Sequence, residues 1–400
     1  MRTKVKLKGG ISLIVLVITI IVMIILAAAI ILSLSNSGII GKANKAKTDT
    51  DISNAKDLVA MAHADWMLDE AKIKENDNTI TSFSNYAEKK LQEAGYKVGA
   101  GEGAYTVTED GEVYTGLTET ARAGITAGIK IGDEVKYSAV LTAKSTTTDG
   151  SERTSTGAAD DTKKQTVKTN TSYTWKYIGL GEDGSLLIAP DMTGTIGADY
   201  KLTLADKGGY LNGPKMLNTI CDALYTVEGK GKAQSMNIDI VNKILEYNGP
   251  KGSYLDMSGN LVETAEAMAI AKLETKLNSK LARDYVPEGK DLGEYKSDRY
   301  YINKTEHASR ITKDTVKQNL VYQANQYWLA SPCIIVSLNY SFAVFYVHTV
   351  DSSRVIVYDM FSSAGSGRPM SFTLAVRPYV SLTTNVQKTT ENGKIVWTLG

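Results

Sequence analysis

Residues Ile11–Leu34 read ISLIVLVITIIVMIILAAAIILSL and carry no charge. At about 1.5 Å of rise per residue, a helix of this length covers a hydrocarbon core of about 30 Å. The short segment before it, residues 1–10, contains four cations between Arg2 and Lys8 and no acidic residue. Because basic flanks stay on the cytoplasmic side, this pattern predicts a single-pass membrane helix over 11–34, with the rest of the chain outside the cell.

A cleaved secretory signal is a second interpretation of this N-terminus. The apolar region of such a signal is about 7–15 residues long and ends in a small-residue cleavage site. Here the alanines Ala27–Ala29 lie inside a longer apolar run. The length of the run therefore favours a helix that stays in the membrane.

The segment Lys8–Ile14, KGGISLI, resembles the type IV prepilin signal, which is a basic leader and a glycine before a long apolar helix. In that family a membrane peptidase cuts after the glycine and the new N-terminus is methylated. The resemblance implies processing between Gly10 and Ile11, with a prepilin peptidase and pilin-like assembly partners. The family carries an assembly glutamate where this chain has Val15, which favours a pseudopilin or a surface protein over a major pilin. An uncleaved single-span helix remains the alternative.

Residues 35–127 predict a pilin-like stalk helix followed by a small α/β subdomain. Residues 84–95 predict a short helix, and residues 104–114 predict a hairpin with an Asp-Gly turn. Apolar residues at alternating spacings of three and four predict one buried stripe on the stalk helix. That stripe consists of Ile52, Ala55, Val59, Ala62 and Trp66.

The composition argues against several classes of function. A formal net charge of +1 gives no electrostatic bias toward nucleic acid. Two cysteines, Cys221 and Cys333, and three histidines form no zinc pattern, so we expect no metal and no cofactor. The 22 tyrosines against 5 phenylalanines suit polar surfaces that make contacts.

Residues 128–383 predict an α+β head with helices first and a twisted antiparallel sheet last. A Ser/Thr-rich stretch, 144–172, predicts an exposed loop or a disordered insertion, and the strands at 135–140 and 173–180 can still pair around it. Residues 384–400 are expected to be a C-terminal tail. The predicted helices lie at 213–225, after an N-cap at Ser235, and at 262–283, and the strands begin at Tyr327.

Two segments of the head, YWLAS at 327–331 and VRPYVSL at 376–382, resemble a C-type-lectin-like domain of Firmicutes surface proteins. That domain is akin to the formylglycine-generating-enzyme fold. The stretch IKIGD at 129–133 and the hairpin beginning WKYIGL resemble its opening strands. The resemblance covers residues 128–382, and the Ser/Thr-rich insertion departs from it.

Some members of this class are variable proteins of diversity-generating retroelements, whose last strands and loops are rewritten to make new binding surfaces. The resemblance then implies a fixed framework of Tyr327, Trp328, Leu329, Ala330, Ser331, Val376, Arg377 and Pro378. It implies a diversified face between residues 334 and 374. The candidate ligand-binding residues on this face are Asn339, Tyr340, Phe345, His348, Ser352, Ser353, Arg354, Tyr358, Met360, Phe361, Ser362, Ser363, Ser366, Arg368, Met370 and Phe372.

The composition of this face, Tyr, Ser, Asn and Arg on loops, is typical of adaptable binding surfaces. Ordinary core positions are the favoured interpretation of the apolar strand residues Phe342, Val344, Tyr346, Val355 and Val357. For the loop residues Ser362, Ser363, Ser366 and Arg368, a solvated loop remains an equal alternative.

The sequence does not predict an enzyme. The relative that oxidises sulfatase cysteines needs a reactive cysteine pair, and only Cys221, on a predicted helix, is available to join Cys333. No spacing supports a nucleophile made from Cys333 and His348, and a buried structural cysteine is the favoured interpretation. We therefore expect a membrane-anchored, pilin-like surface protein whose head binds an extracellular protein or glycan in adhesion or recognition. The alternative is a minor pilin or pseudopilin subunit of a type IV pilus or type II secretion-like fibre.

Overall fold

A computed structural model describes residues 39–137, 145–148, 165–168, 173–192, 201–249, 309–323, 326–337, 342–362 and 371–400. The chain divides into two compact units. The first consists of Met1–Val98 and Val107–Tyr114, and the second of Gly99–Thr106 and Thr115–Gly400.

Two helices form most of the described part of the first unit, α1 (Ile39–Asn76) and α2 (Phe83–Glu93). The predicted stripe on α1 is confirmed, because Ala55, Val59, Ala62 and Trp66 are buried while Ile52 is half-buried. The ring of Trp66 lies 6.2 Å from that of Phe83 and 5.9 Å from that of Tyr86 on α2. The 3.6-residue period of the helix thus brings a single apolar face of α1 onto α2.

Helix α1 is interrupted at Asp69, whose φ of −153° and ψ of 54° are not helical. The Asp69 carboxylate accepts a hydrogen bond from the backbone N–H of Lys72, at 3.3 Å. A side-chain acceptor three residues before a free N–H is the arrangement of a helix N-cap. Asp69 therefore starts a second helical segment within α1.

The predicted fold class is wrong in its membrane-spanning first element. Among the residues that the structure describes, no helix is both long enough and apolar enough to cross a membrane. The longest of them, α1, carries Asp57, Asp65 and Asp69 outside its buried stripe, so its other faces suit water. The residues that predicted the span, 11–34, and the processing site at Gly10 and Ile11 lie outside the described residues. The described chain is a mixed arrangement of helices and sheets.

The second unit contains most of the strands. Its described elements, together with the β1–β2 hairpin, are β1 (Tyr105–Val107), β2 (Val113–Thr115), α3 (Glu119–Thr126), β3 (Glu134–Lys136), β4 (Ser145–Thr148), β5 (Gln165–Lys168), β6 (Thr174–Leu180), β7 (Leu186–Asp191), β8 (Lys201–Ala205), α4 (Asp206–Tyr225), β9 (Gly231–Ser235), α5 (Ile238–Ile244), α6 (Thr315–Val321), β10 (Tyr327–Ser337), β11 (Phe342–Val350), β12 (Val355–Ser362), β13 (Ser371–Ala375), β14 (Pro378–Leu382), β15 (Val386–Glu391) and β16 (Lys394–Leu399).

These strands form two large sheets. The seven-stranded sheet has the order β15-β16-β3-β6-β7-β14-β9, and the five-stranded sheet has the order β12-β11-β10-β13-β8. Helix α4 packs against β8, β10, β11 and β12 of the five-stranded sheet and also contacts β9 and β14. The chain passes from one sheet to the other between β13 and β14, at Val376 and Arg377.

The predicted order of the head, helices first and sheet last, is wrong. Strands β3, β6 and β7 precede α4 in the chain and lie in one sheet with β14 and β16, which follow it. The predicted pairing around the Ser/Thr-rich insertion is confirmed, since Val135 pairs with Trp175. Local patterns located these strands, but their distant partners in the sheet are set by long-range packing.

Three further predictions are corrected by the structure. The insertion is not a loop throughout, because β4 and β5 pair antiparallel near its two ends. The N-cap of α5 is Asn237, whose side chain accepts from the N–H of Ile240, whereas Ser235 pairs with Pro378 as the last residue of β9. The predicted tail, 384–400, forms the β15–β16 hairpin and buries Trp397. The helix predicted at 262–283 lies outside the described residues.

Candidate ligand-binding face

The first strand of the candidate face, β10, begins with two buried aromatic residues. Trp328 is fully buried, and its indole N–H donates to the carbonyl of Leu202 on β8 at 2.8 Å. The neighbouring Tyr327 is also fully buried, and its hydroxyl donates to the carbonyl of Val321 at 2.9 Å. The start of β10 is therefore fixed to a strand on one side and to helix α6 on the other.

Arg377 connects this point to the other sheet. Its guanidinium is buried, and its Nε and Nη2 donate to the carbonyl of Pro190 on β7 at 3.3 and 3.1 Å. Its Nη1 donates to the Tyr327 hydroxyl at 3.1 Å, and its Cζ lies 5.1 Å from the centre of the Tyr327 ring. Burial raises the pKa of Tyr327, although the nearby Arg377 opposes that rise. One side chain thus ties the seven-stranded sheet to the five-stranded sheet.

Backbone hydrogen bonds complete this junction. The N–H of Met236 donates to the carbonyl of Arg377 at 2.9 Å, and the N–H of Ala330 donates to that of Met236 at 2.8 Å. The Ser331 hydroxyl accepts from the N–H of Ile238 at 2.9 Å. The residues assigned to the framework by resemblance are buried, except for the half-buried Ala330. We call Tyr327, Trp328, Pro190, Met236 and Arg377 the junction.

Strands β10, β11 and β12 extend from the junction as a meander. At the near end of the meander, Tyr327 pairs with Val350, which pairs with Val355. At the far end, Ser337 pairs with Phe342, and Ser362 pairs with Val344. With about 3.3 Å of rise per residue, the two ends lie roughly 20–25 Å apart.

The near end carries the turn from Asp351 to Arg354, which joins β11 to β12. The Asp351 carboxylate accepts from the N–H groups of Ser353 and Arg354 at 2.9 and 3.0 Å, and its other oxygen accepts from Arg354 Nε at 2.9 Å. Burial of Asp351 raises its pKa, but these hydrogen bonds outweigh burial and leave the pKa below its usual value. Ser352 and Ser353 are exposed and Arg354 is half-buried, so this turn is ordered and accessible.

The structure separates the predicted ligand-binding residues into groups. Ser352, Ser353 and Arg354 lie at the near end, whereas Ser362 lies at the far end. Phe345 and Phe361 are register partners toward the far end, while Phe372 pairs with Leu204 on the other side of β10. The predicted residues therefore do not form one cluster.

The side chains of the other predicted residues are not part of this grouping. Asn339, Tyr340, Ser363, Ser366, Arg368 and Met370 lie outside the described residues. For Phe345, His348, Tyr358, Met360, Phe361 and Ser362, the description covers the backbone alone.

Sequence reasoning missed two contributors to the face. Asp351 organises the near-end turn, and an acid followed by two serines is a turn signal that could have assigned it this role. The carbonyl of Pro190 receives Arg377 from 187 residues away along the chain. No local pattern indicates that contact.

The described thiol is not arranged for catalysis. Cys221 on α4 is free and fully buried, and burial raises the pKa of its thiol well above the usual value. The reactive form of a cysteine is the thiolate, so Cys221 is unreactive near neutral pH. Within the described ranges, no three His, Cys, Asp or Glu side chains group closely enough to hold a metal ion.

Comparisons with known proteins identify no relative of this chain. No family model, no curated protein and no solved structure matches the chain. The resemblances to prepilins and to C-type-lectin-like domains therefore stay predictions.

Proposed function

We propose that this chain is a ligand-recognition protein of the cell surface, which acts in adhesion or recognition and not in catalysis. Its binding face lies on the β10–β12 meander and the segments that adjoin these strands in the sequence, within residues 334–374. The ligand is an extracellular protein or glycan.

The observation that carries this proposal is the contrast between the junction and the meander that extends from it. The junction fixes the first residues of β10 through buried hydrogen bonds from Trp328 and Arg377. The near-end turn beside it is accessible, with exposed Ser352 and Ser353. Binding residues are commonly placed on loops that a rigid scaffold positions, since the scaffold lowers the entropic cost of binding.

The residue types on the face support the same proposal. Residues 339–372 supply tyrosine, serine, asparagine and arginine at the candidate positions. Tyrosine gives a large contact area at low conformational cost, and serine and asparagine give adaptable hydrogen bonds. A rigid junction that carries segments with adaptable residues suits recognition of varied ligands.

Binding is tested by screening the full chain, in mild detergent, against arrays of glycans and of extracellular proteins. Variants then locate the face: Arg354→Ala at the near end and the double change Asn339→Ala/Tyr340→Ala in the β10–β11 connection. Lys394→Ala is the matched control, an exposed cation beside the β15–β16 turn. We expect one of the two face variants to weaken binding about tenfold or more, and the control to change it less than about twofold. Normal binding by both face variants would contradict the proposal.

We further propose that a retroelement diversifies this face. Deep sequencing of the gene across a population of the source bacterium is expected to show substitutions concentrated in codons 334–374 and absent at Trp328 and Arg377. Codons 386–399, which encode the β15–β16 hairpin, supply the background rate of substitution. An equal rate in the two segments would leave a face of fixed specificity and remove the retroelement from the proposal.

A further inference from the structure

Strand β12 lies at an edge of the five-stranded sheet. Its eight residues, Val355–Ser362, pair with β11 on one side, and no described strand pairs with the other side. Along such an edge, every second residue directs an N–H and a C=O away from the sheet. An edge of this kind can accept another extended strand.

The first half of β12 lacks the protection that the other edges carry. The remaining edge strands of the two large sheets, β8, β9 and β15, contain Lys201, Lys232 and Lys388, respectively. Strand β12 reads VIVYDMFS, with no lysine, arginine or proline and one carboxylate, Asp359. Charged residues and bulges on an edge prevent sheets from joining, and in β12 both come after Tyr358, at Asp359 and Met360. The stretch Val355–Tyr358 is therefore the part of this edge that is open to pairing.

We propose that β12 pairs antiparallel with β12 of a second copy of this chain, which joins the two five-stranded sheets into one. A symmetric dimer uses the same surface on both copies, and two identical antiparallel strands satisfy this condition. Two residues that lie opposite each other have their side chains on the same face of the sheet. In a symmetric pair of identical strands, one residue must therefore lie opposite the same residue of the second copy, and the symmetry axis passes between these two.

The charge pattern of β12 fits such a dimer. With Ile356 facing its counterpart, Val355 lies opposite Val357 and Arg354 lies opposite Tyr358, so β-branched residues pair with one another. Axes at Ile356, Val357 or Tyr358 all avoid placing the two Asp359 carboxylates opposite each other. The register shift between Phe345 and Tyr346 leaves Met360 without a partner on β11 and ends the regular part of the edge there.

This interface shares β12 with the proposed binding face, but it is argued from the edge position of the strand and not from a ligand. Main-chain hydrogen bonds hold the two edges together, and side chains affect the pairing where a charged residue would lie opposite its own counterpart. Failure of ligand binding would therefore leave the dimer in place, and a monomeric chain would leave the binding proposal in place.

The experiment measures the mass of the full chain and the covalent capture of the dimer. Light scattering in mild detergent, from about 1 to about 100 µM protein, is expected to show a dimer at the higher concentrations. Single cysteines are then introduced by Ile356→Cys, Val357→Cys and Tyr358→Cys under oxidising conditions. A disulfide needs Cα atoms within about 7 Å, and only the residue that faces its own counterpart meets this condition. We therefore expect one of the three variants to give at least about five times more covalent dimer than the other two.

Thr390→Cys, on the exposed edge strand β15, is the matched control, and the unsubstituted chain gives the background from Cys333. A monomer at every concentration overturns the proposal. So does a dimer whose covalent yield at all three β12 positions stays at the level of Thr390→Cys, because the copies then associate through another surface. A covalent link to a foreign protein in place of a second copy overturns it as well.

Discussion

Trp328→Ala is expected to lower the free energy of unfolding of the second unit by about 4 kcal/mol. The side chain is fully buried at the junction, so its removal leaves a cavity that the surrounding strands fill incompletely. The loss also leaves the carbonyl of Leu202 without the indole donor at 2.8 Å. Urea denaturation of the full chain, followed by circular dichroism, measures the change.

Two conservative variants separate the hydrogen bond from the packing. Trp328→Phe keeps an aromatic ring but removes the donor to Leu202, and we expect a loss of about 2 kcal/mol. Trp175→Phe is the matched control, because Trp175 is also buried and packs its ring 4.9 Å from that of Tyr137. The indole of Trp175 makes no side-chain hydrogen bond to another described residue, so its change should cost less than that of Trp328. Equal losses in the two variants would show that the Trp328–Leu202 bond adds nothing to stability.

Arg377→Ala is expected to lower the free energy of unfolding by about 3 kcal/mol. The guanidinium makes three hydrogen bonds to two buried oxygens, the carbonyl of Pro190 and the hydroxyl of Tyr327. Removing it leaves both oxygens without that donor and empties the space that the arginine stem fills. The same denaturation experiment measures the loss.

Two further variants, Arg377→Met and Arg354→Ala, separate the hydrogen bonds of Arg377 from its packing and serve as a surface control. Methionine refills most of the volume but has no hydrogen-bond donors. We expect Arg377→Met to lower the free energy of unfolding by about 2 kcal/mol, which is the contribution of the hydrogen bonds less the gain from no longer burying a charge. Arg354 pairs with Asp351 at the surface, and Arg354→Ala should cost less than about 1 kcal/mol. If Arg377→Met is as stable as the parent chain, then the three hydrogen bonds contribute no more than burying the charge costs.

The local elements of this fold could be predicted from sequence because they depend on short-range patterns. The stripe from Ala55 to Trp66 follows from helical periodicity, and the β6–β7 hairpin follows from alternating strands around Gly181–Gly184. The N-cap of α5 was harder, since Ser235 and Asn237 both suit that role. Sheet pairing with Pro378 takes Ser235, and Asn237 then caps the helix.

The candidate site was predictable in its framework and not in its geometry. The resemblance pointed to Trp328 and Arg377, and both are buried at the junction. The distance between the near-end turn and the far end was not predictable, because both are polar connections in the sequence. Only the register of β10 with β11, from Tyr327–Val350 to Ser337–Phe342, separates them.

The parallel pairing of β16 with β3 affects how the chain folds during its synthesis. Trp397 pairs with Val135, and its indole donates to Asp133, which lies 264 residues earlier in the sequence. Contacts between residues so far apart form slowly, because the entropy of a very long loop is lost first. During synthesis at about 5–20 residues per second, β3 leaves the ribosome long before its partner exists. The second unit therefore completes its larger sheet only after translation of its last strand, and until then β3 presents an unpaired edge to chaperones and to other nascent chains.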